Sequence, residues 1–178
     1  LRLFRTADRR DLDLHPDAFT AATRSLPLIT SKTRRDPRAA KVFLDILARG
    51  RDPQRTLTLM NEAGVLGRFL PEFGRVVAQM QFNMYHSYTV DEHTLRAVGV
   101  IAEIKAGRFA EDHPLSTAIM PLIDDPEALF LAMLLHDTGK GGAGGQEKAG
   151  ARAARQACER LGQDRKRIEL VAWLVEHH

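Results

Sequence analysis

The sequence predicts an all-α fold, and three observations carry that prediction. Nearly every long segment places its apolar residues at helical spacing. Asp-Pro pairs stand where segments open and glycines where they close, the usual punctuation of helix starts and stops. The strand-like fragments, Val76-Val77 and Tyr88-Thr89-Val90, are too short to build a sheet.

The elements follow in order. Leu1-Arg2-Leu3-Phe4-Arg5 is charged and helix-like, which is not the pattern of a secretion signal, and a chain starting at leucine suggests a piece of a longer protein. Asp36-Pro37 opens an amphipathic run holding Val42-Phe43-Leu44 and Ile46-Leu47, closed by Arg49-Gly50. Asp52-Pro53 opens the next, with Leu57, Leu59 and Met60, closed by Gly64. In both, the Asp side chain can cap orphan amides while Pro takes the first helical position. Thr89-Val90-Asp91-Glu92 reads as a capping box ahead of a helix whose stripe is Leu95, Val98, Ile101 and Ile104, stopping at Gly107.

Asp125-Pro126-Glu127 starts a helix that is apolar nearly all round through Ala128–Leu135 and runs into His136-Asp137; such a helix belongs in the middle of the domain. A further helix spans Glu147 to Leu161, closed by Gly162. The last starts after Asp164 and runs through Ile168, Leu170, Val171, Trp173 and Leu174 to the chain end. Trp173 and Cys158 fall on apolar faces and are expected in the core. Residues 1–75 are Arg-rich, broken by prolines, and hold one histidine, whereas six of the seven histidines lie between residues 86 and 178. This shift places a soft boundary near residue 75, within one body rather than at a flexible linker.

Composition narrows the function classes. With 178 residues and 44% hydrophobic content, the chain can build an ordinary core. Its longest apolar run, Ala128–Leu135, is far short of the roughly 20 residues of a membrane span. A single cysteine excludes an internal disulfide and a zinc finger and points to a reducing cytoplasm. An excess of three positive charges, 26 basic against 23 acidic residues with both signs interspersed, is too small to indicate nucleic acid.

His136-Asp137 is the sharpest local feature. An adjacent imidazole and carboxylate at the end of an apolar helix must be paired, hydrogen-bonded or metal-bound to offset the cost of burial. Taken alone, the pair also reads as a histidine complementing the helix dipole beside a capping aspartate. His93 lies one turn into its own helix, and His177-His178 ends the last one. A histidine, a His-Asp pair and a distal histidine on separate helices is how a bundle assembles a metal site from facing side chains. Imidazole and carboxylate without thiolate suit Zn, Mn, Fe or another first-row divalent ion. Lys140, three residues after Asp137, can add a cation at a phosphate or be an exposed lysine beside the Gly141–Gly145 run. His86, His113 and His15 read as surface or structural residues.

His93 and His136-Asp137 in an all-helical setting resemble the HD superfamily of metal-dependent phosphohydrolases. The surrounding words are similar to one branch, the bifunctional PII uridylyltransferase/uridylyl-removing enzymes. They are Gln79 to Leu95, Met60 to Pro71, Leu170 to His178, and the opening Leu1-Arg2-Leu3-Phe4 with His15-Pro16-Asp17-Ala18. The resemblance covers essentially the whole chain. It implies an HD-domain helical bundle (76–178), shortened at its C-terminal end, preceded by a helical connector (1–75) that follows a missing nucleotidyltransferase domain. It implies His93, His136 and Asp137 as ligands of a divalent metal, with His178, which matches the distal histidine better than His177, either a further ligand or a residue facing the substrate. The implied activity is hydrolysis of UMP from uridylylated PII protein in nitrogen regulation, with glutamine sensing confined to missing C-terminal domains. No Gly-Ser with a downstream Asp-x-Asp, the mark of the transferase site, is present.

Two departures stand out. Gln146 occupies the position, four residues before Gly150-Ala151, where many members of the branch carry a histidine, and the family's distal Asp falls beyond His178. Two other readings remain: an HD phosphohydrolase acting on a guanosine polyphosphate or dNTP, and a non-catalytic helical module whose site has decayed.

Overall fold

Aspartate caps start the helices that build the core, and the computed structural model describes residues 1–80, 88–141 and 145–178. In chain order the helices are α1 (Arg2–Arg10), α2 (Pro16–Arg24), α3 (Ser31–Arg34), α4 (Pro37–Arg49), α5 (Pro53–Glu62), α6 (Val65–Phe69) and α7 (Pro71–Gly74). Then follow α8 (Val90–Lys105), α9 (Pro114–Ile119), α10 (Pro126–Leu135), α11 (Gln146–Arg160) and α12 (Arg165–Glu176). Among the described residues there is no strand, only one isolated bridge between Met80 and Thr89. The fold is all-α.

The caps are made as the sequence reads. Asp36 accepts from the Arg38 amide, Asp52 from Arg55, and Asp164 from Arg167, each at 2.9 Å, and Asp125 accepts from Ala128 at 3.1 Å. Each satisfies a donor that the first turn leaves open. α10 lies at the centre, with Ala128, Leu131, Leu134 and Leu135 fully buried, and packs on α4, α8 and α12. One hydrophobic cluster joins Phe43, Ile46 and Leu47 of α4 and Leu57 and Met60 of α5 to Leu95 and Val98 of α8 and Val175 of α12. The core therefore runs through position 75 without a break.

Two sequence expectations fail. Thr89 ends the chain's approach to α8, but its hydroxyl makes no capping bond. Glu92 instead reaches Arg96 one turn on, at 3.3 Å, and the Val90 amide is satisfied by the Gln79 carbonyl at 3.0 Å, so the first turn is tied to the preceding chain rather than boxed. Trp173 is 57% exposed, not core. α12 buries Val171, Ala172 and Val175 against the bundle, and Trp173 falls on the outer side, its ring stacked on His177 at 4.7 Å. Cys158 is buried as expected, and burial pushes its thiol up to about 12.

Sequence reading also missed the short helices of the first half, although Pro16 after His15 is a start signal: the His15 ring accepts from the Asp17 amide at 3.2 Å. His113 precedes α9 with its ring 5.8 Å from Phe109, and His86 lies outside the described residues.

Buried charges knit the two halves together. Glu72 of α7, 4% exposed, takes both Nη groups of Arg160 of α11, one at 2.8 Å. Glu127 of α10 receives Arg49 at 2.8 Å and Arg167 at 2.7 Å. Within the first half, Asp8 of α1 accepts the Arg51 and Asp52 amides, both at 2.9 Å, and the Thr56 hydroxyl at 3.1 Å. Removing one partner of a buried pair leaves the other charge without compensation. Arg160→Leu, which strands Glu72, is expected to lower unfolding free energy in urea by about 3 kcal/mol, whereas Arg38→Ala at the exposed Asp36 pair changes it by less than about 1 kcal/mol.

Candidate metal centre

Three helices and one turn bring the polar residues of the core's edge together. His93 rides on the second turn of α8, His136 and Asp137 follow the last turn of α10, and His178 follows α12. The donor atoms of His93, His136 and Asp137 lie within 4.8 Å of one another. Two ligands at about 2.1 Å from one ion can stand no more than about 4.2 Å apart, so small side-chain rotations close the group onto a cation. The rings of His93 and His136 are 5.7 Å apart between centroids, and those of His136 and His178 are 5.2 Å apart. His178 thus joins the histidine cluster through His136, though it is outside the tighter group of donors.

Hydrogen bonds assign the ring nitrogens. His136 Nδ1 donates to the Met133 carbonyl at 2.7 Å, and because a carbonyl only accepts, that nitrogen carries the proton. Its Nε2 faces Asp137 Oδ2 at 3.2 Å. A neutral ring in this tautomer points a lone pair at a carboxylate, so a proton or a cation must stand between them. His178 is held in the same way, Nδ1 to the Val175 carbonyl at 2.7 Å. His177 donates instead to the Trp173 carbonyl at 2.9 Å and stacks outward on that indole.

Asp137 is 5% exposed. Burial pushes its carboxyl up, but hydrogen bonds from His136 and Lys140 outweigh burial and hold it down at about 2, against an ordinary 3.8. The Lys140 ammonium reaches Asp137 Oδ2 at 2.5 Å and is 15% exposed, so it is folded into the site rather than loose beside the glycines. Gly142 to Gly144 lie outside the described residues. Gln146 is the first residue of α11 and its side chain is exposed.

The turn that presents His136-Asp137 is fixed by bare backbone. A β-carbon at Gly139 would stand 2.0 Å from the Gln146 carbonyl oxygen and 2.4 Å from the Gly150 nitrogen. One at Gly150 would meet Val175 Cγ1 at 3.1 Å and the His136 carbonyl at 3.4 Å. Thr138 closes the turn, its hydroxyl donating to the Leu135 carbonyl at 2.7 Å.

Sequence reasoning missed one support. Asp91, in the first turn of α8, is buried and accepts from Asn61 Nδ2 at 2.7 Å and from the Ala78 amide at 3.1 Å, bracing the helix two residues before His93. The hint was a carboxylate on the buried side of a helix, hidden by reading Asp91 as part of a polar capping segment.

Residues 90–178 match the HD domain family. The chain belongs to the HD domain family. Residues 1–69 match a second family described as the uridylyltransferase GlnD third domain. Over all 178 residues this HD-domain chain is 84% identical to the bifunctional uridylyltransferase/uridylyl-removing enzyme of Phenylobacterium zucineum, 78% to that of Caulobacter vibrioides and 51% to that of Azospirillum brasilense. The chain spans 19% of the length of each of these relatives. HD domains are metal-dependent, and the His93, His136 and Asp137 donors have the chemistry of such a site. Among the described residues, no helix is long and apolar enough to cross a membrane.

Two outcomes follow from this geometry. Gly139→Ala is expected to cost about 1–3 kcal/mol of stability and to weaken divalent-ion binding by calorimetry, because the His136–Asp137 turn must move off α11. In chelator, the depressed carboxyl of Asp137 stabilises the fold fully above its ordinary value of 3.8, and this is lost as pH falls through about 2. Asp137→Asn should therefore lower stability at neutral pH and flatten the acid limb of the urea-midpoint against pH curve.

Proposed function

We propose that this chain is the uridylyl-removing part of a bifunctional PII-modifying enzyme, hydrolysing UMP from a uridylylated PII-type protein in the cytoplasm. Residues 1–75 serve as the connector and 76–178 as the HD domain. The observation that carries the reading is the convergence of His93, His136 and Asp137 donor atoms within 4.8 Å, with His136 Nδ1 committed to Met133 so that its Nε2 faces Asp137 Oδ2 at 3.2 Å. The 84% identity over the whole chain supports the choice of substrate.

In this reading His93, His136 and Asp137 would hold a divalent ion, Mn, Mg, Zn or Fe, with His178 beside it. When bound, such an ion would lower the pKa of water and neutralise phosphoryl charge. Met133 keeps His136 in the ligating tautomer, and Asp137 stays ionised throughout the working range. Lys140 is placed to turn from Asp137 to a non-bridging phosphate oxygen, adding a fixed positive charge where negative charge builds. Water adds to phosphorus, the bond to the tyrosyl oxygen breaks, and that oxygen takes up a proton as UMP departs. The low-dielectric wall of α10 strengthens each of these contacts.

The test is metal analysis together with UMP release from uridylylated PII in the presence of Mn, Mg or Zn. Wild-type chain should bind the ion and release UMP. His136→Ala should lose both while keeping its helical circular dichroism, and Lys140→Ala should bind the ion but turn over roughly 100-fold more slowly. Release of phosphate from guanosine polyphosphate or dNTP with none of UMP would move the activity to free nucleotides. Metal binding without any hydrolysis would make the chain a decayed module.

A further inference from the structure

We propose that a second, metal-independent site in the first half of the chain binds a phosphate-bearing small molecule. The site is a cleft of about 510 Å³ between α3 and the α5–α7 segment, lined by Arg34, Asn61, Gly67, Arg68, Gly74 and Arg75 among others. That volume suits a nucleotide-sized ligand, and the cleft shares no residue with the metal centre.

Its charge is one-sided. Among the described residues, none that is acidic lines the cleft. Among the described residues, no carboxylate pairs with Arg34, Arg68 or Arg75, and all three line the same hollow. Three guanidinium groups around one hollow give it a positive potential that favours an anion. Guanidinium forks match phosphate oxygens in pairs, and such charge-assisted bonds are the strong ones. Arg34 is preorganised for this work: its Nε donates to the Arg68 carbonyl at 2.8 Å, which fixes the plane of the group and leaves its Nη donors for a ligand.

The floor is equally specific. α6 and α7 touch through main chain, since a β-carbon at Gly74 would meet the Gly67 carbonyl oxygen at 2.7 Å and its Cα at 3.1 Å. Side chains there would fill the hollow or force the helices apart; glycines keep it open and bring backbone to its wall. Asn61, also in the lining, is the residue that holds Asp91 at the start of α8. A ligand in the cleft therefore touches the group that braces the helix carrying His93.

The test titrates the whole chain in EDTA with sodium pyrophosphate and with ATP by calorimetry, which silences the metal centre. Single-site binding of at least one probe is expected. Arg68→Gln/Arg75→Gln, both exposed positions whose replacement should leave the circular dichroism unchanged, should weaken it at least about tenfold. His136→Ala should leave it unchanged. The proposal is overturned if neither probe binds, if the double variant binds as tightly as wild type, or if His136→Ala removes the binding. It is also overturned if an oligoglutamate peptide binds at this cleft more tightly than pyrophosphate, which would make the surface a protein contact.

Discussion

The contact on which the site depends is the approach of two backbones at Gly139 and Gly150. With no side chain between them, the turn after α10 lies directly on α11, and Val175 of α12 packs over the same spot. That single close crossing sets the depth of the His136–Asp137 turn relative to α12 and thus to His178. It also explains why an exposed polar pair could not serve here: the turn is pinned on one side by Gly150 and on the other by the fully buried end of α10. Protein interiors are packed too densely for a methyl group to be absorbed at such a crossing.

The electrostatics of the centre follow from that placement. Burial alone would raise the carboxyl of Asp137, yet His136 and Lys140 more than compensate. The site is thus a concentrated negative point at the edge of an apolar bundle, answered by an ammonium at 2.5 Å. Holding His136 and His178 through their Nδ1 atoms to main-chain carbonyls leaves Nε2 as the ring nitrogen not used by that bond in each, and does so without any further side chain. The first half of the chain contributes more than a spacer. It shares one core with the helices that follow, clamps α11 through Glu72 and Arg160, and steadies the start of α8 through Asn61.

Much of the fold was legible because it is written in local code. Asp-Pro starts, apolar stripes and glycine stops give α4, α5, α8, α10, α11 and α12 nearly to the residue, since each signal satisfies backbone groups or buries a face within a few turns of where it is read. Where two local solutions compete, reading fails. Glu92 could reach back to Thr89 or forward to Arg96, and it takes the forward contact, while the Val90 amide is met by the Gln79 carbonyl. Trp173 carries the hydropathy of a core residue, but its angular position on α12 is opposite to Val171 and Val175, and only the direction of packing reveals this.

The sequence by itself determined the helical class, the caps, the central place of α10 and the candidate residues His93, His136, Asp137, Lys140 and His178. It did so because periodicity and capping are short-range and because a buried imidazole next to a carboxylate is costly enough to stand out. Tertiary structure alone decided which histidine of the last pair turns toward His136, that Lys140 is drawn onto Asp137, that Asn61 braces α8, and that three arginines meet around one cleft. Those are relations between residues tens of positions apart, or between neighbours that diverge at a helix end, and they are fixed by packing of whole faces rather than by any local preference of the chain.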